Sequence, residues 1–339
     1  MRKAIGYSTL VLFVFSICVA LVFSTAAFAY DEKNPMVLKA GISSPPTEDE
    51  ARAVTLFGNE VQKRTNGRVQ FKFFYSASLI KKPQLVEGVA RGIADISIGP
   101  ISFVTGKIPA AGIFEVYGSY KLDSFKEMER AVNPILIELF ENHGIHHLGA
   151  FNPGPGLFVH KTKFLKGPDD WKGQKMRLGG RWQSGLGKKW GGSPVFMPPP
   201  DLYLALQRGV IEGFMLPWHL TWAFKLNEVT PYVTDTGLNC NLGIVTMNLK
   251  KWKALTQKDQ EIFNKTADEV MTWANLEMAS GEMKERQDII SKGGKVYDLT
   301  SEEKRIYTKS TYEMWPEVRK AGGPIGNKLA DILEKYKVN

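Results

Sequence analysis

Met36-Val37-Leu38-Lys39-Ala40-Gly41, Val69-Gln70-Phe71-Lys72-Phe73 and Asp95-Ile96-Ser97-Ile98 are three short apolar runs, and what lies between them decides the fold. Thr47 and Glu50 stand at capping-box spacing, and Ala51, Val54, Phe57 and Val61 follow at helical intervals until Asn66-Gly67. Val69, Phe71 and Phe73 alternate as a strand with one buried face does. A second helix is predicted from Pro83 to Arg91, stopped by Gly92. Strand, helix, strand, helix, strand in this order implies parallel strands joined by right-handed crossovers. Ligands of such sheets bind beyond the carboxyl ends of the strands, which puts Ser43-Ser44-Pro45-Pro46 and Gly99-Pro100-Ile101 on one rim.

The same style continues outward. Gly144–Phe151, Leu157–His160 and Lys175–Leu178 read as strands, and Gly179-Gly180 leads to a helix near Ser184–Trp190. Pro198-Pro199-Pro200-Asp201 opens another helix, closed by Gly209 before a strand at Val210–Met215. The last third is helical. Phe263, Ala267, Val270, Ala274 and Met278 keep a spacing of three or four, in a pattern that reaches Ile290. Thr300 and Glu303 open a further helix, and Gly322-Gly323-Pro324 separates it from a final one.

The 339 residues are 43% apolar and 23% charged, which excludes a disordered or collagen-like chain. The formal charge of +9 admits nucleic acid, anionic surfaces or anionic solutes, so the address decides among them. Arg2 and Lys3 precede an apolar stretch, Leu10 to Phe23, and Ala27-Phe28-Ala29 forms an A-x-A cleavage site. The small-residue exit and the polar Asp31-Glu32-Lys33 favour a cleaved export signal at residues 1–29 over a membrane anchor. Export removes nucleic acid from the list of partners. It also leaves Cys240 alone, so neither an internal disulfide nor a cysteine metal cluster is expected.

Motifs for catalysis are lacking. The five histidines contain no HExxH, and neither GxxxxGK[ST] nor G-x-S-x-G occurs. Neither metal nor cofactor is expected. Two features remain. Trp171, Trp182, Trp190, Trp218 and Trp222 cluster in the middle of the chain, as core and hinge packing or as pocket walls. Arg177 ends a predicted strand, with Arg181 four residues later, and a guanidinium suits a carboxylate through two parallel hydrogen bonds.

Trp171-Lys172-Gly173-Gln174-Lys175-Met176-Arg177 resembles a segment of the solute-binding proteins of TRAP (tripartite ATP-independent periplasmic) transporters, the DctP-like family. Gly191-Gly192-Ser193-Pro194-Val195-Phe196-Met197-Pro198 and Leu202-Tyr203-Leu204-Ala205-Leu206-Gln207-Arg208-Gly209-Val210-Ile211-Glu212-Gly213 are similar to two further segments of that family. Thr65-Asn66-Gly67-Arg68-Val69, Ser76–Leu79 and Glu87–Asp95 extend the resemblance over the mature chain. It implies an α/β, two-lobed periplasmic binding protein fold, each lobe a mixed sheet flanked by helices, with a long helix spanning both. Lobe I would take 34–152 with about 241–281, and lobe II 153–240 with about 282–339. The implied protein is a monomeric periplasmic carrier, not an enzyme, that delivers a small carboxylate to the membrane subunits of a TRAP permease.

By motif match the family's carboxylate-binding arginine falls on Arg177. Leu216 stands before Pro217 where one common version has Asn, a second arginine has no counterpart in Asn152–Phe158, and Pro199 replaces an aromatic. Trp182, Phe214, Leu216 and Trp218 would then wall an apolar pocket for an aromatic or hydrophobic acid, with Ser43, Pro100 and Arg181 at its rim. Trp218 would equally serve to pack the hinge. The rival readings are the binding component of an ATP-driven importer and a secreted enzyme with an unrecognised site.

Overall fold

The computed structural model describes residues 30–239 and 241–338. The predicted export signal at 1–29 and Cys240 lie outside the described residues. The first strands and helices are β1 (Met36–Gly41), α1 (Asp49–Arg64), β2 (Val69–Phe74), α2 (Leu85–Ala90) and β3 (Ile96–Pro100). β1 pairs in parallel with β2, from Met36↔Val69 to Gly41↔Phe74, and with β3 at Ala40↔Ile96. The parallel pairing expected from the spacing is therefore present. α1 buries Ala51, Val54, Phe57 and Val61 on this sheet, where Phe57 meets Phe71 and Phe263 edge-on. The predicted helix Pro83–Arg91 is shorter than its pattern. Lys82–Gln84 forms a 3-10 turn, and the α-helix starts after it at Leu85.

α3 (Phe125–Glu141) packs on β4 (Ile145–Phe151), and β5 (Pro155–His160) follows. The next elements are β6 (Lys175–Arg177), α4 (Arg181–Lys189), β7 (Ser193–Val195), α5 (Leu202–Gln207) and β8 (Gly213–Leu216). β8 begins three residues later than the predicted strand. Gly209 turns at φ +69°, and the amide of Val210 bonds back to Ala205, so the first residues are spent on the turn. The remainder is α6 (Trp218–Ala223), β9 (Tyr232–Asn239), β10 (Gly243–Asn248), α7 (Leu249–Ala254), α8 (Gln257–Ser291), β11 (Lys295–Asp298), α9 (Ser301–Tyr312) and α10 (Trp315–Leu333).

Two mixed sheets result, ordered β2-β1-β3-β10-β4 and β11-β9-β5-β8-β6-β7. The chain passes between them at β4–β5 and again at β9–β10. α8 runs 35 residues, about 50 Å at 1.5 Å per residue, with the Thr256 hydroxyl accepting from the Asp259 amide at its start. Its first half buries Phe263, Ala267, Val270, Ala274 and Met278 against α1 and β4, and its second half meets α6 and β11. One helix thus ties the two lobes together. α10, kinked at Gly323 (φ +60°), lies on α3 and on the 3-10 turn Pro109–Glu115. Among the described residues, no helix is long and apolar enough to cross a membrane.

Candidate functional site

β6 lies between β7 and β8, with Arg177 opposite Val195 and Phe214. At this strand end the Arg177 side chain is only 2% exposed. Its Nε donates to the Met197 carbonyl (2.9 Å) and Nη1 to the Met215 carbonyl (3.1 Å). Burial pushes its pKa down to about 10, which leaves it charged at neutral pH. Among the described residues no carboxylate pairs with it. A buried cation held only by carbonyls has the chemistry to accept an anion.

The backbone then turns through Gly179-Gly180 into α4. A Cβ on Gly180 would come within 2.1 Å of Glu115 Oε2, so only glycine lets this carboxylate reach the helix start. Glu115 accepts the Trp182 amide (3.0 Å), the Gln183 amide (3.5 Å) and the Thr105 hydroxyl. Its position at the positive end of α4 suits a negative charge. Burial nevertheless pushes its pKa up to about 7, against the lowering effect of those donors.

Arg177 borders a cavity of about 50 Å³ between the sheets. The first lobe supplies Pro100, Ser102, Phe103, Glu50 and Lys82, and the second supplies Gln183, Pro199, Leu216, Pro217 and His219. Lys82 Nζ lies 2.8 Å from Glu50 Oε2, which also accepts from Ser44 Oγ (3.0 Å). Asn241 donates from Nδ2 to Ser102 Oγ (3.0 Å). Burial lowers the pKa of His219, so it presents a neutral imidazole at pH 7. Among the described residues no three His, Cys, Asp or Glu side chains are grouped to hold a metal ion.

Of the residues singled out in the sequence, Arg177, Pro100 and Leu216 meet at this cavity. Phe214 shares a strand face with Leu216 but lies deeper, fully buried in the core with Leu202 and Leu206, while Met215 and Leu216 reach the cavity from the end of β8. Trp218 is 1% exposed in the same core and donates to Asp235 Oδ2 (3.1 Å). Trp182 packs its indole against Gly112, where a Cβ would stand 2.1 Å from Nε1. Arg181 is exposed and lies over the Trp182 ring at 5.1 Å. Ser43 donates to the Ile80 carbonyl (3.2 Å) and is off the wall. Thr47 and Glu50 do not form their capping box. Glu48 is the N-cap, and the Lys82 ammonium holds the Glu50 carboxylate instead. Glu50, Lys82, Gln183, His219 and Asn241 were not read as site residues. Ser102 and Phe103 directly continue the Gly99-Pro100-Ile101 rim, so their place in the sequence is the signal that points to them.

Four carboxyl groups around the lobe junction share one property. Burial pushes Glu48, Glu115 and Glu285 up to about 7 and Glu282 to about 8. Each binds its proton more tightly in the native state than in the unfolded chain, so its contribution is complete at low pH and lost as pH rises through 7 to 8. His147, lowered to about 3 by burial, acts with the opposite sign but only below its unfolded value. The melting temperature should therefore fall by several degrees from pH 6.5 to pH 8.5 in thermal denaturation. A flat profile would contradict this assignment of charge.

The bacterial extracellular solute-binding protein family 7 (DctP) matches residues 40–321. A solute-binding protein of Roseobacter denitrificans is 28% identical over 254 residues, 72% of this chain and 74% of its own. The 2,3-diketo-L-gulonate-binding periplasmic protein YiaO of Escherichia coli is 23% identical over 262 residues, 76% of this chain and 80% of its own. The crystal structure of a TRAP periplasmic solute-binding protein from Desulfovibrio salexigens, with bound orotic acid, superposes with a TM-score of 0.82 at 23% identity, covering 88% of this chain and 98% of that one. The chain belongs to family 7 of the bacterial extracellular solute-binding proteins, the solute-binding proteins of TRAP transporters.

Proposed function

We propose that the protein is a periplasmic carrier that closes its two lobes over a small organic acid, holds the carboxylate on Arg177 and hands the acid to a TRAP permease. One observation carries this reading. Arg177 is a buried guanidinium bonded to two carbonyls, without a carboxylate of its own among the described residues, at a cavity between the lobes. Relatives that bind 2,3-diketo-L-gulonate or orotic acid support an acid as ligand. The walls support an apolar body for that acid, since Pro100, Phe103, Pro199, Met215, Leu216 and Leu220 line much of the cavity.

Native mass spectrometry of freshly purified protein tests the reading, followed by identification of the released molecule. An unchanged acid recovered after denaturation is expected, and a turnover product would instead support an enzyme. In a thermal-shift panel, apolar carboxylates should outcompete polyhydroxylated ones of equal charge. Each hydroxyl pressed unpaired against an apolar wall costs about 1–3 kcal/mol. A sugar acid as the tightest ligand would overturn the apolar assignment.

A further inference from the structure

β3 runs from Ile96 to Pro100, and Pro100 lines the Arg177 cavity. The other end of the same strand meets a different feature. β1 begins at Met36, but its pairing with β3 covers only Ala40↔Ile96 and Gly41↔Ser97, which leaves a notch beside Val37 to Lys39. The notch opens into a groove of about 780 Å³ between β1, β2, the end of α2 and the start of α7.

Lys39, Lys72, Arg91, Lys250 and Lys251 border this groove, and Asp95 is its only acid among the described residues. Five cations against one carboxylate leave a surplus of four positive charges. Asp95 is 2% exposed and turned to the backbone, its Oδ2 accepting the Lys39 amide (2.8 Å). Among the described residues none of the five cations forms an ion pair. Lys39 Nζ donates to the Gly92 carbonyl (2.8 Å), and Glu87, one helical turn before Arg91, is held by Lys107 instead. The walls are fixed elements. Asn248 caps α7 by accepting the Lys251 amide (3.0 Å), and it donates to the Val89 (2.8 Å) and Ala90 (3.1 Å) carbonyls of α2.

Gathering like charges on a rigid frame is unfavourable for the fold unless an anion neutralises them. One small anion would leave most of the surplus uncompensated, whereas a surface of repeated phosphates matches it. Apolar side chains stand among the cations. Val37 is 38% exposed, and Ile93, next to Gly92 in the chain, is 46% exposed. Lysine and arginine stems beside exposed apolar groups suit the boundary between headgroups and acyl chains. The groove also lies at the strand ends away from Arg177, so a surface seated there leaves the cavity uncovered.

We propose that the first lobe docks through this groove on a bilayer surface of anionic phospholipids, which holds the protein beside a membrane with its ligand cavity free. The inference does not depend on which acid Arg177 holds. The test is co-sedimentation of the protein, purified from the periplasm, with vesicles of phosphatidylcholine alone or with about one-third phosphatidylglycerol. At about 50 mM salt the bound fraction should be at least about fivefold higher on the anionic vesicles, and at about 300 mM most of that excess should vanish through screening. Lys72→Glu combined with Lys250→Glu reverses two exposed charges of the groove and should remove the excess. Lys188→Glu combined with Lys320→Glu makes the same change in net charge at exposed sites elsewhere and should keep it. Thermal melts check that both variants remain folded.

Equal binding to the two kinds of vesicle, or binding to neither, overturns the proposal. Survival of the excess in the groove variant overturns it too. Loss of the excess in the Lys188 and Lys320 control would reduce the effect to net charge and remove the groove from it. Oligoglutamate in place of vesicles separates the remaining case. If it binds the parent and not the groove variant while anionic vesicles do not bind, the groove takes an acidic protein segment and the lipid assignment falls.

Discussion

Arg177→Ala should weaken binding of the retained acid by about 2–5 kcal/mol, roughly thirtyfold to several thousandfold. The loss is large because the acid would be left in a dry cavity without a counter-charge. Arg177→Lys should lose nearly as much. The Met197 and Met215 carbonyls fix the plane of the guanidinium, and a lysine ammonium can reproduce neither that fork nor a bidentate contact. Arg177→Met keeps most of the volume and serves as the apolar control. Without ligand the Arg177→Ala and Arg177→Met proteins should melt within a few degrees of the parent, since the bonds they lose are offset by removing an unpaired buried charge. The ligand-induced rise in melting temperature is what should vanish. Arg181→Ala, an exposed neighbour of equal charge, should bind normally. Full affinity in a folded Arg177→Ala protein would remove the anchor assignment.

Trp171→Ala should have the opposite profile, with a loss of stability near 3–5 kcal/mol and little change in ligand affinity. Trp171 is fully buried, edge-on to Phe158 at 5.0 Å and 4.9 Å from the Trp190 ring centre. Its indole Nε1 donates to the Tyr307 hydroxyl (3.1 Å), which donates onward to the Leu165 carbonyl (3.0 Å). Truncation leaves a cavity in the middle of this aromatic group, and the surrounding rings cannot collapse to fill it. Trp222→Ala is the contrast, because Trp222 is 44% exposed. Its removal should change stability by less than about 1 kcal/mol. Urea denaturation measures both, and equal midpoints would contradict the division between core and surface tryptophans.

The tryptophan cluster marks the limit of what spacing can tell. Trp182 and Trp218 are close in sequence to Arg177 and to β8, yet both face protein cores. Trp218 finds an acceptor in Asp235, and Trp182 fits the space left by Gly112. Which of two faces a large aromatic takes depends on its partner across the fold, and such a partner leaves no local mark. Glu50 illustrates the same limit. Its spacing from Thr47 suggested a cap, but the Lys82 ammonium, from a different loop, is the stronger partner for a buried carboxylate.

Local order determined much of this protein. The parallel strands β1 to β3, the long α8 and the strand-end position of Arg177 follow from periodicity, glycine stops and short motifs. Each of these depends on residues only a few positions apart, and the chain carries that information directly. The composition of the cavities is of another kind. Glu50, Lys82, Gln183, His219 and Asn241 meet at one cavity, and Glu48 and Glu285 border one chamber, only because two sheets and a 35-residue helix bring distant segments together. Burial then decides which charges need a partner, and burial is a property of the tertiary structure alone.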